Sequence, residues 1–339
     1  QIEGLSFRNY NSSNSMLADN TITAFCEDSH GRIWTGSVNG RLNYLNLSGP
    51  VNIRVPDGST SETARRIDVI LGLVYDSIND YIWISAHNGL YFYDLKHSTY
   101  NSYPIKTSSC FGACIASDQL WVSGIEGLNR IDLRTLNSRI IADFPSCLSL
   151  VMDGENTLWA GTYGRGLYRV DKCLSEKPEI TVYSEKDGLA DDQIHGLLVD
   201  GINLWITTEN GLSHLDTQVG EITSYGIKDG LKSMAFCENS VAKGSNGAVY
   251  LGQKEGLSIL RSSYVRNEYG NKPDVVISGY YSKETFHSLS LSDTISKDET
   301  DTDFTLKFSD LSYCREPDIK YESRLLPMDK KWSPVFEND

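Results

Sequence analysis

The sequence predicts an all-β fold, a β-propeller made of four-stranded antiparallel blades. The first observation is a repeated phrase, in which an aromatic residue is followed by a glycine six residues later in five copies and seven residues later in the fourth copy. The second is the period, because successive aromatics stand 49, 38, 38, 46 and 45 residues apart. A fixed short phrase within a period of about forty residues is typical of propeller blades whose loops differ. The aromatic residues are Trp34, Trp83, Trp121, Trp159, Trp205 and Tyr250.

Each copy of the phrase also contains three short segments with the pattern of β-strands. In the first copy, residues 22–26 are apolar on both faces, residues 32–36 alternate around Trp34, and residues 42–45 follow the glycine turn. Strands that are apolar on both faces lie between packed sheets. The same pattern predicts strands at 71–75, 82–85, 90–93, 113–116, 120–123, 128–131, 148–152, 158–161, 167–170, 195–199, 204–207, 212–215, 240–242, 249–252 and 257–260. A fourth, outer strand is expected at 100–103, 180–183 and 222–225.

The number of blades depends on how the ring closes. Six copies are legible, which favours a six-bladed ring, and a seven-bladed ring with one missing or degenerate blade is the alternative. Residues 7–10 resemble an isolated outer strand, which we expect to pair with the last blade and close the ring. A closed radial array leaves few exposed sheet edges, so these short strands need no covering helices.

The recurring aromatic is predicted to be structural. A ligand-binding aromatic would not recur at the same place in every unit, whereas a large rigid ring can fill the space between neighbouring blades. The residue two places after it is small in every copy, which leaves room for the facing sheet. These small residues are Gly36, Ser85, Ser123, Gly161, Thr207 and Gly252. The glycine of the following turn is predicted to have a positive φ.

The repeats end after Leu260, where the pattern changes. Residues 264–273 form a polar linker, and Phe304, Leu306 and Phe308 then alternate toward a different core. We therefore predict two domains, a propeller over residues 1–265 and an immunoglobulin-like β-sandwich over residues 266–339 that is incomplete at its C-terminal end.

Composition bears on the partners of the chain. The net charge of −14 argues against nucleic acid as a ligand. No run of 18 apolar residues and no basic-then-apolar leader occurs, so contact with a membrane is expected only through flanking segments. The seven cysteines are scattered along the chain without the paired CxxC spacing of a metal site, which favours free thiols that pack in the core. A disulfide or metal role for Cys110 and Cys114 stays open.

Residues 31–36 (Gly-Arg-Ile-Trp-Thr-Gly) and 187–194 (Asp-Gly-Leu-Ala-Asp-Asp-Gln-Ile) resemble the two-component regulator propeller repeat. The tail resembles the three-tyrosine domain that follows such propellers, through residues 304–308 (Phe-Thr-Leu-Lys-Phe), Leu311, Tyr313, Tyr321, Leu325, Asp329 and Trp332. Their order is similar to the periplasmic sensor region of Bacteroides-type hybrid two-component histidine kinases that detect complex carbohydrates. The resemblance implies a periplasmic, non-enzymatic region without a cofactor, which binds an oligosaccharide and signals as a homodimer.

The residues with binding chemistry are expected at one end of the propeller. The loops before each first strand and the turns between second and third strands share that end. Sugars suit such a surface, because hydroxyls need amide, carboxylate and Arg partners while an aromatic ring covers the apolar side of a pyranose. The candidate ligand-binding residues are Asn20, Arg65, Arg66, His87, Tyr163, Arg165, Asp192, His195 and Glu209, with Asp19, Asn88, Glu126, Gln193 and Asn210 beside them.

Each candidate has a second interpretation, as a turn residue that caps its own backbone. The capping interpretation is weakest for two pairs, Arg65 with Arg66 and Tyr163 with Arg165. Long cationic side chains in an acidic protein favour an anionic ligand. No phosphate loop, nucleophile elbow, zinc-protease helix or EF-hand is present, and no metal site is predicted.

Two other functions stay open beside the sensor. One is a protein-interaction scaffold. The other is a metal-dependent lyase similar to the streptogramin lyases, in which His195 and Asp192 would act together over the central channel. Fold alone does not decide between these functions.

Overall fold

The computed structural model describes residues 9–46, 52–141, 144–154, 156–260, 276–282, 285–288, 304–309, 321–323, 331 and 333–335. The chain divides into two compact units, Gln1–Tyr264 and Val265–Asp339. The first unit contains all six copies of the repeated phrase. The second contains the strands of the tail.

The first unit is built of six sheets, each formed by strands that are consecutive in the chain. Five sheets have four antiparallel strands: β1 (Ile22–Glu27), β2 (Arg32–Ser37), β3 (Leu42–Asn46) and β4 (Asn52–Arg54); β5 (Ile70–Asp76), β6 (Tyr81–Ala86), β7 (Gly89–Asp94) and β8 (Thr99–Tyr103); β9 (Cys110–Ala116), β10 (Gln119–Gly124), β11 (Gly127–Asp132) and β12 (Ser138–Ile141); β13 (Cys147–Asp153), β14 (Thr157–Thr162), β15 (Leu167–Asp171) and β16 (Glu179–Tyr183); β17 (Ile194–Asp200), β18 (Asn203–Thr208), β19 (Gly211–Asp216) and β20 (Ile222–Tyr225). In the described residues the sixth sheet has three strands, β21 (Phe236–Lys243), β22 (Val249–Gln253) and β23 (Gly256–Leu260).

The sheets are arranged radially as blades. Their first strands, β1, β5, β9, β13, β17 and β21, are neighbours in chain order, and β21 comes close to β1 again. The predicted all-β propeller with six legible blades is therefore confirmed. Of the strand predicted at residues 7–10, residues 7 and 8 lie outside the described part of the chain, and residues 9 and 10 are not in a strand.

The repeat aromatics lie in the second strand of each blade, and those of the first four blades pack against the next blade. Trp159 of the fourth blade, fully buried, packs in one core with Ile194 and Leu197 of the fifth. Across the sheet each Trp is covered by its partner on the third strand: Tyr44 and Phe92 at ring centroid distances of 5.0 and 5.1 Å, the Arg130 and Arg169 guanidiniums at 5.9 and 5.4 Å, and the His214 ring at 4.8 Å. Tilted aromatic contacts and cation–π contacts thus hold the indoles in place.

Close approach between blades explains some of the small residues after the aromatics. A Cβ atom at Gly36 would lie 2.4 Å from Cγ2 of Ile70, and one at Gly161 would lie 2.5 Å from Cγ2 of Ile194, each on the first strand of the next blade. At Gly252 the atom in the way belongs to the same blade, Cβ of Ser240 at 2.6 Å. The turn glycines have positive φ in all six blades, as predicted, from 67° at Gly40 to 147° at Gly256.

Each first strand has a register irregularity near its start, against the second strand. In the fifth blade this β-bulge lies between Ile194 and Gly196, so His195 is the extra residue. A bulge redirects the side chain that it carries, which matters for the site described below.

The junction between the last and the first blade differs from the others. Leu73, Leu150 and Leu197 occupy equivalent places in their first strands, each opposite the residue that follows the repeat Trp, and each is less than a tenth exposed. Their counterpart in the first blade, Phe25, is 63% exposed. The face of β1 on the side opposite the second blade, where Phe25 lies, is therefore largely exposed.

This difference predicts unequal effects of truncation at equivalent positions. Leu197→Ala should lower the free energy of unfolding by about 2–5 kcal/mol, as buried Leu→Ala changes do. Phe25→Ala should change it by less than about 0.5–1 kcal/mol despite the larger side chain, because Phe25 is mostly exposed. Guanidinium denaturation of both variants measures the two effects. Equal losses would show that β1 is covered in solution.

One short helix was not predicted. Helix α1 (Glu62–Arg66) precedes β5, and the Ser61 side chain caps it by accepting a hydrogen bond from the Ala64 amide at 3.2 Å. Two 3₁₀ helices, Glu185–Asp187 and Ile227–Asp229, precede β17 and β21. They belong to the loops that enter the first strands, where the blades differ.

In its described residues, the second unit contains two small antiparallel sheets. One has the order β25, β24, β26, from β24 (Val276–Ser282), β25 (Thr285–Ser288) and β26 (Phe304–Ser309), and the other pairs β27 (Tyr321–Ser323) with β28 (Ser333–Val335). The predicted segment 304–308 is thus a strand. Leu311, Tyr313, Leu325, Asp329 and Trp332 lie outside the described residues, and the immunoglobulin-like sandwich stays a prediction.

Candidate functional site

One position in every blade combines a repeated backbone with an unrepeated side chain. It is the fourth residue after the repeat aromatic and the first after the second strand, and we call it the turn position. Its occupants are Val38, His87, Ile125, Tyr163, Glu209 and Lys254. Because equivalent strands run in the same direction in every blade, all six lie at the same end of the propeller.

Backbone hydrogen bonds fix the turn position to the loop that enters the first strand of the same blade. The amides of Val38, His87 and Glu209 donate to the carbonyl oxygens of Thr21, Val69 and Gln193 at 3.1, 2.9 and 3.1 Å. The Lys254 amide donates to the carbonyl of Ala235 at 3.3 Å. The scaffold therefore presents different side chains from one rigid backbone arrangement.

The side chains at the turn position are accessible. Tyr163 is 63% exposed and Ile125 56%. The Lys254 side chain is 59% exposed and that of Glu209 40%. Such a ring of accessible, dissimilar groups is a surface on which ligand specificity can be built.

The fifth and sixth blades join through a charged network at this end. Glu209 Oε2 lies 3.0 Å from His195 Nε2, and Glu209 Oε1 accepts a hydrogen bond from Lys254 Nζ at 3.0 Å. The Lys254 hydrogen bond is the main reason why the pKa of Glu209 is lowered, with a smaller contribution from His195. Glu209 is consequently a carboxylate held on both oxygens.

His195 is the buried member of this network. Its side chain is only 5% exposed, and its Nδ1 atom is buried without a hydrogen-bond partner in the described part of the chain. A buried polar atom without a partner is unfavourable, by about 1–3 kcal/mol. His195 thus positions Glu209, and a ligand would meet the accessible Glu209 and Lys254 first.

Three loops meet at Gln193. Tyr163 forms an isolated antiparallel bridge with Gln193, and the Glu209 amide binds the Gln193 carbonyl. The Gly166 amide donates to the carbonyl of Asp192 at 2.9 Å. Tyr163 of the fourth blade and Glu209 of the fifth blade therefore both contact the loop that contains Gln193.

Several predicted residues serve mainly local structure. The Asn20 side chain accepts from the Ser12 amide at 2.8 Å, and Asp192 Oδ1 accepts from the Glu185 amide at 2.8 Å. Arg66 pairs with Glu62 one helical turn earlier. His87 Nδ1 lies 3.8 Å from an oxygen of Asp68, and the His87 side chain is 60% exposed.

The neighbours of the predicted residues are divided in the same way. Asn88 binds the backbone of residues 66 and 68, and Glu126 accepts from Thr107 and Ser108. Asp19 accepts from the Thr21 amide at 2.8 Å. The capping interpretation therefore accounts for contacts of these three residues.

The structure brings five of the nine candidate residues together. Tyr163, Arg165, Asp192, His195 and Glu209 lie at adjoining ends of the fourth and fifth blades, with His195 at the start of β17 and the others in the loops beside it. Arg65 instead lines a cavity between the first and second blades, together with Arg41 and Tyr100.

Lys254, Val38 and Ile125 were missed in the sequence, although one signal could have found them. Counting four residues from each repeat aromatic gives all six turn positions. Arg41 directly follows the turn glycine Gly40. Tyr100, in contrast, sits in an outer strand, and nothing in its local sequence indicates a cavity.

The pairing of His195 with Asp192 that a lyase mechanism would use does not occur, since His195 pairs with Glu209. In the described residues no group of three His, Cys, Asp or Glu side chains could hold a metal ion. Cys110 and Cys114 are free thiols in β9, and burial raises the pKa of each to about 12. Among the helices of the described residues, none has the length and apolar character needed to cross a membrane.

Known proteins resemble this chain in both sequence and fold. Residues 16–39 match the sequence profile of the two component regulator propeller family. Histidine kinase P4 of Formosa agariphila is 22% identical over 407 aligned residues, covering 96% of this chain and 29% of that protein.

Two solved structures from B. thetaiotaomicron share the fold. The extracellular domain of the putative hybrid two component system BT3049 superposes with a TM-score of 0.70 at 20% identity, covering 95% of this chain and 46% of that one. The extracellular domain of the putative hybrid two component system BT4673 superposes with a TM-score of 0.57 at 18% identity, covering 94% of this chain and 45% of that one. The predicted resemblance to the two-component regulator propeller repeat and to the extracellular domains of hybrid two-component systems is thus confirmed. The chain spans less than half the length of each of these proteins.

Proposed function

We propose that this chain is part of the extracytoplasmic, periplasmic sensor region of a two-component histidine kinase and that it binds a complex carbohydrate without transforming it. The observation that carries the proposal is the turn position: six equivalent, accessible places on one end of the propeller hold six different side chains. A position that serves packing between blades keeps the same residue type in successive blades, as the position of the repeat Trp does. A position that serves recognition differs in residue type from blade to blade.

The chemistry around Gln193 favours a saccharide. An exposed Tyr163 ring offers an apolar plane to one side of a pyranose, and the Glu209 carboxylate and Lys254 ammonium offer an acceptor and a donor for hydroxyls. Glu209 is already oriented by His195 and Lys254, so little side-chain entropy is lost when it binds a ligand.

Signalling from such a region requires a movement that crosses the membrane. We infer that the intact receptor is a homodimer, because relative motion between two subunits can be passed through thin membrane helices in flanking segments. No catalytic group is needed in this part of the protein for that role.

Glycan-array screening followed by calorimetric titration tests the proposal. We expect an oligosaccharide to bind, and Tyr163→Ala and Glu209→Gln each to weaken its binding by about tenfold, the effect of losing roughly 1.4 kcal/mol. Glu255→Gln is the matched control, since it removes the same charge from the turn that carries Lys254 and Glu255 is exposed.

Two outcomes would contradict the proposal. One is the absence of binding to any glycan on the array. The other is a glycan that binds the two variants as tightly as it binds the original protein.

A protein-interaction scaffold is the second candidate, and the exposed aliphatic side chains of Val38 and Ile125 at the turn position favour it, because exposed apolar surface is typical of protein-interaction sites. Under this candidate, Ile125→Ser would abolish capture of a protein partner, and no glycan would change the melting temperature.

A further inference from the structure

The cavity between the first two blades has features of an anion-binding site. Its volume is about 280 Å³, near the lower end of the range for small-molecule pockets, which is about 300–1,000 Å³. Its lining residues include two arginines, Arg41 and Arg65, together with Ser59, Thr60 and Tyr100. No Asp or Glu belongs to the lining.

The two cations are brought together by the fold. Arg41 follows Gly40 in the turn between β2 and β3, and Arg65 lies in the last turn of α1. Gly40 packs so closely on the segment after α1 that a Cβ atom there would lie 2.0 Å from the carbonyl oxygen of Ile67. The buried Ala64 anchors the helix. Both arginines therefore reach the same cavity from rigid backbone positions.

Neither guanidinium has a hydrogen-bond or ion-pair partner among the described residues, whereas the adjacent Arg66 is paired with Glu62. Both arginines are exposed, and together they place a local positive charge at this cavity in a chain whose net charge is −14. Planar guanidiniums bind carboxylates and similar oxoanions through two parallel hydrogen bonds.

Tyr100 lines the same cavity. It is 7% exposed, yet its hydroxyl forms no hydrogen bond with the described residues. Burial raises the pKa of Tyr100, with a smaller contribution from Tyr93, so the hydroxyl stays protonated and available as a donor. A hydroxyl that has no partner among these residues and that lies beside two arginines can donate to an acceptor oxygen of a ligand.

We propose that this cavity binds the carboxylate of an acidic sugar, with Arg41 and Arg65 on the carboxylate and Tyr100 donating to the same group or to the ring. The Ser59 and Thr60 hydroxyls then face the sugar hydroxyls, and the volume accommodates one sugar unit. This inference rests on the proposed carbohydrate function and narrows it to saccharides that contain uronic acid.

Calorimetric titration with sodium glucuronate, glucose and sodium sulfate at low ionic strength tests the inference. We expect glucuronate to bind, glucose not to bind, and sulfate to bind more weakly than glucuronate. Arg41→Gln and Arg65→Gln should each weaken glucuronate binding by about tenfold or more, and Tyr100→Phe by about fivefold. Arg66→Gln, which removes a neighbouring but paired cation, should leave the affinity unchanged.

Circular dichroism melting of each variant separates loss of binding from loss of folding. Failure of glucuronate to bind at millimolar concentration, equal affinity in Arg65→Gln, or equal affinity for sulfate and glucuronate would each overturn the inference. Binding of a neutral glycan at the turn position in that event would leave the proposed function standing. If instead glucuronate bound but no oligosaccharide bound to the protein, the proposed function would be wrong and this inference would stand.

Discussion

Replacing Trp159 by alanine is expected to lower the free energy of unfolding by about 3–5 kcal/mol, the range for a fully buried aromatic. Its indole is completely buried, packs with Ile194 and Leu197 of the next blade, and is covered by the Arg169 guanidinium at 5.4 Å. Truncation would leave a cavity between two blades that rigid sheets cannot close. Guanidinium denaturation measures the loss, with unfolding followed by far-ultraviolet circular dichroism because the substitution removes a fluorescent residue.

Two companion variants show whether the effect comes from volume. The Trp159 Nε1 atom makes no hydrogen bond with the described residues, so Trp159→Phe should retain most of the stability. Tyr250→Ala, at the equivalent place in the sixth blade, should lose less than Trp159→Ala because Tyr250 is only half-buried. If Trp159→Phe were as damaging as Trp159→Ala, a specific indole contact would have to be sought instead.

The repeat made the blades predictable because its signals are local. A Trp, a small residue two places later and a turn glycine specify a strand, a close approach and a positive φ within about ten residues. The outer strands were predicted in three of the five four-stranded blades, whereas β4 and β12 were not predicted, since their pairing depends on a neighbouring strand and not on their own pattern.

The candidate site was only partly predictable for the same reason. His87, Tyr163 and Glu209 stand at a fixed distance from the repeat aromatic, so the sequence brings them within reach of prediction. The link between His195 and Glu209 requires the β-bulge at His195 and the approach of two segments 14 residues apart. The cavity with Arg41, Arg65 and Tyr100 depends on contact between two blades, which no local pattern encodes.

Gly40→Ala is expected to lower the free energy of unfolding by about 2–5 kcal/mol. Its φ of +67° is left-handed, which costs an L-residue roughly 1–2 kcal/mol. In addition, a Cβ atom would lie 2.0 Å from the Ile67 carbonyl oxygen, and overpacking of this kind costs about 1–3 kcal/mol. The carbonyl belongs to the backbone after α1, so relief requires the whole segment to move.

Gly201→Ala is the matched control for the steric part of this effect. Gly201 has a φ of +63°, but a Cβ atom added there would have no neighbour within 4 Å, so its substitution should cost only the conformational 1–2 kcal/mol or so. Chemical denaturation of both variants therefore isolates the contact with Ile67, and equal losses would show that this contact is not rigid. Because the same contact holds Arg41 beside Arg65, Gly40→Ala should also weaken glucuronate binding in protein that is still folded, whereas Gly201→Ala should not.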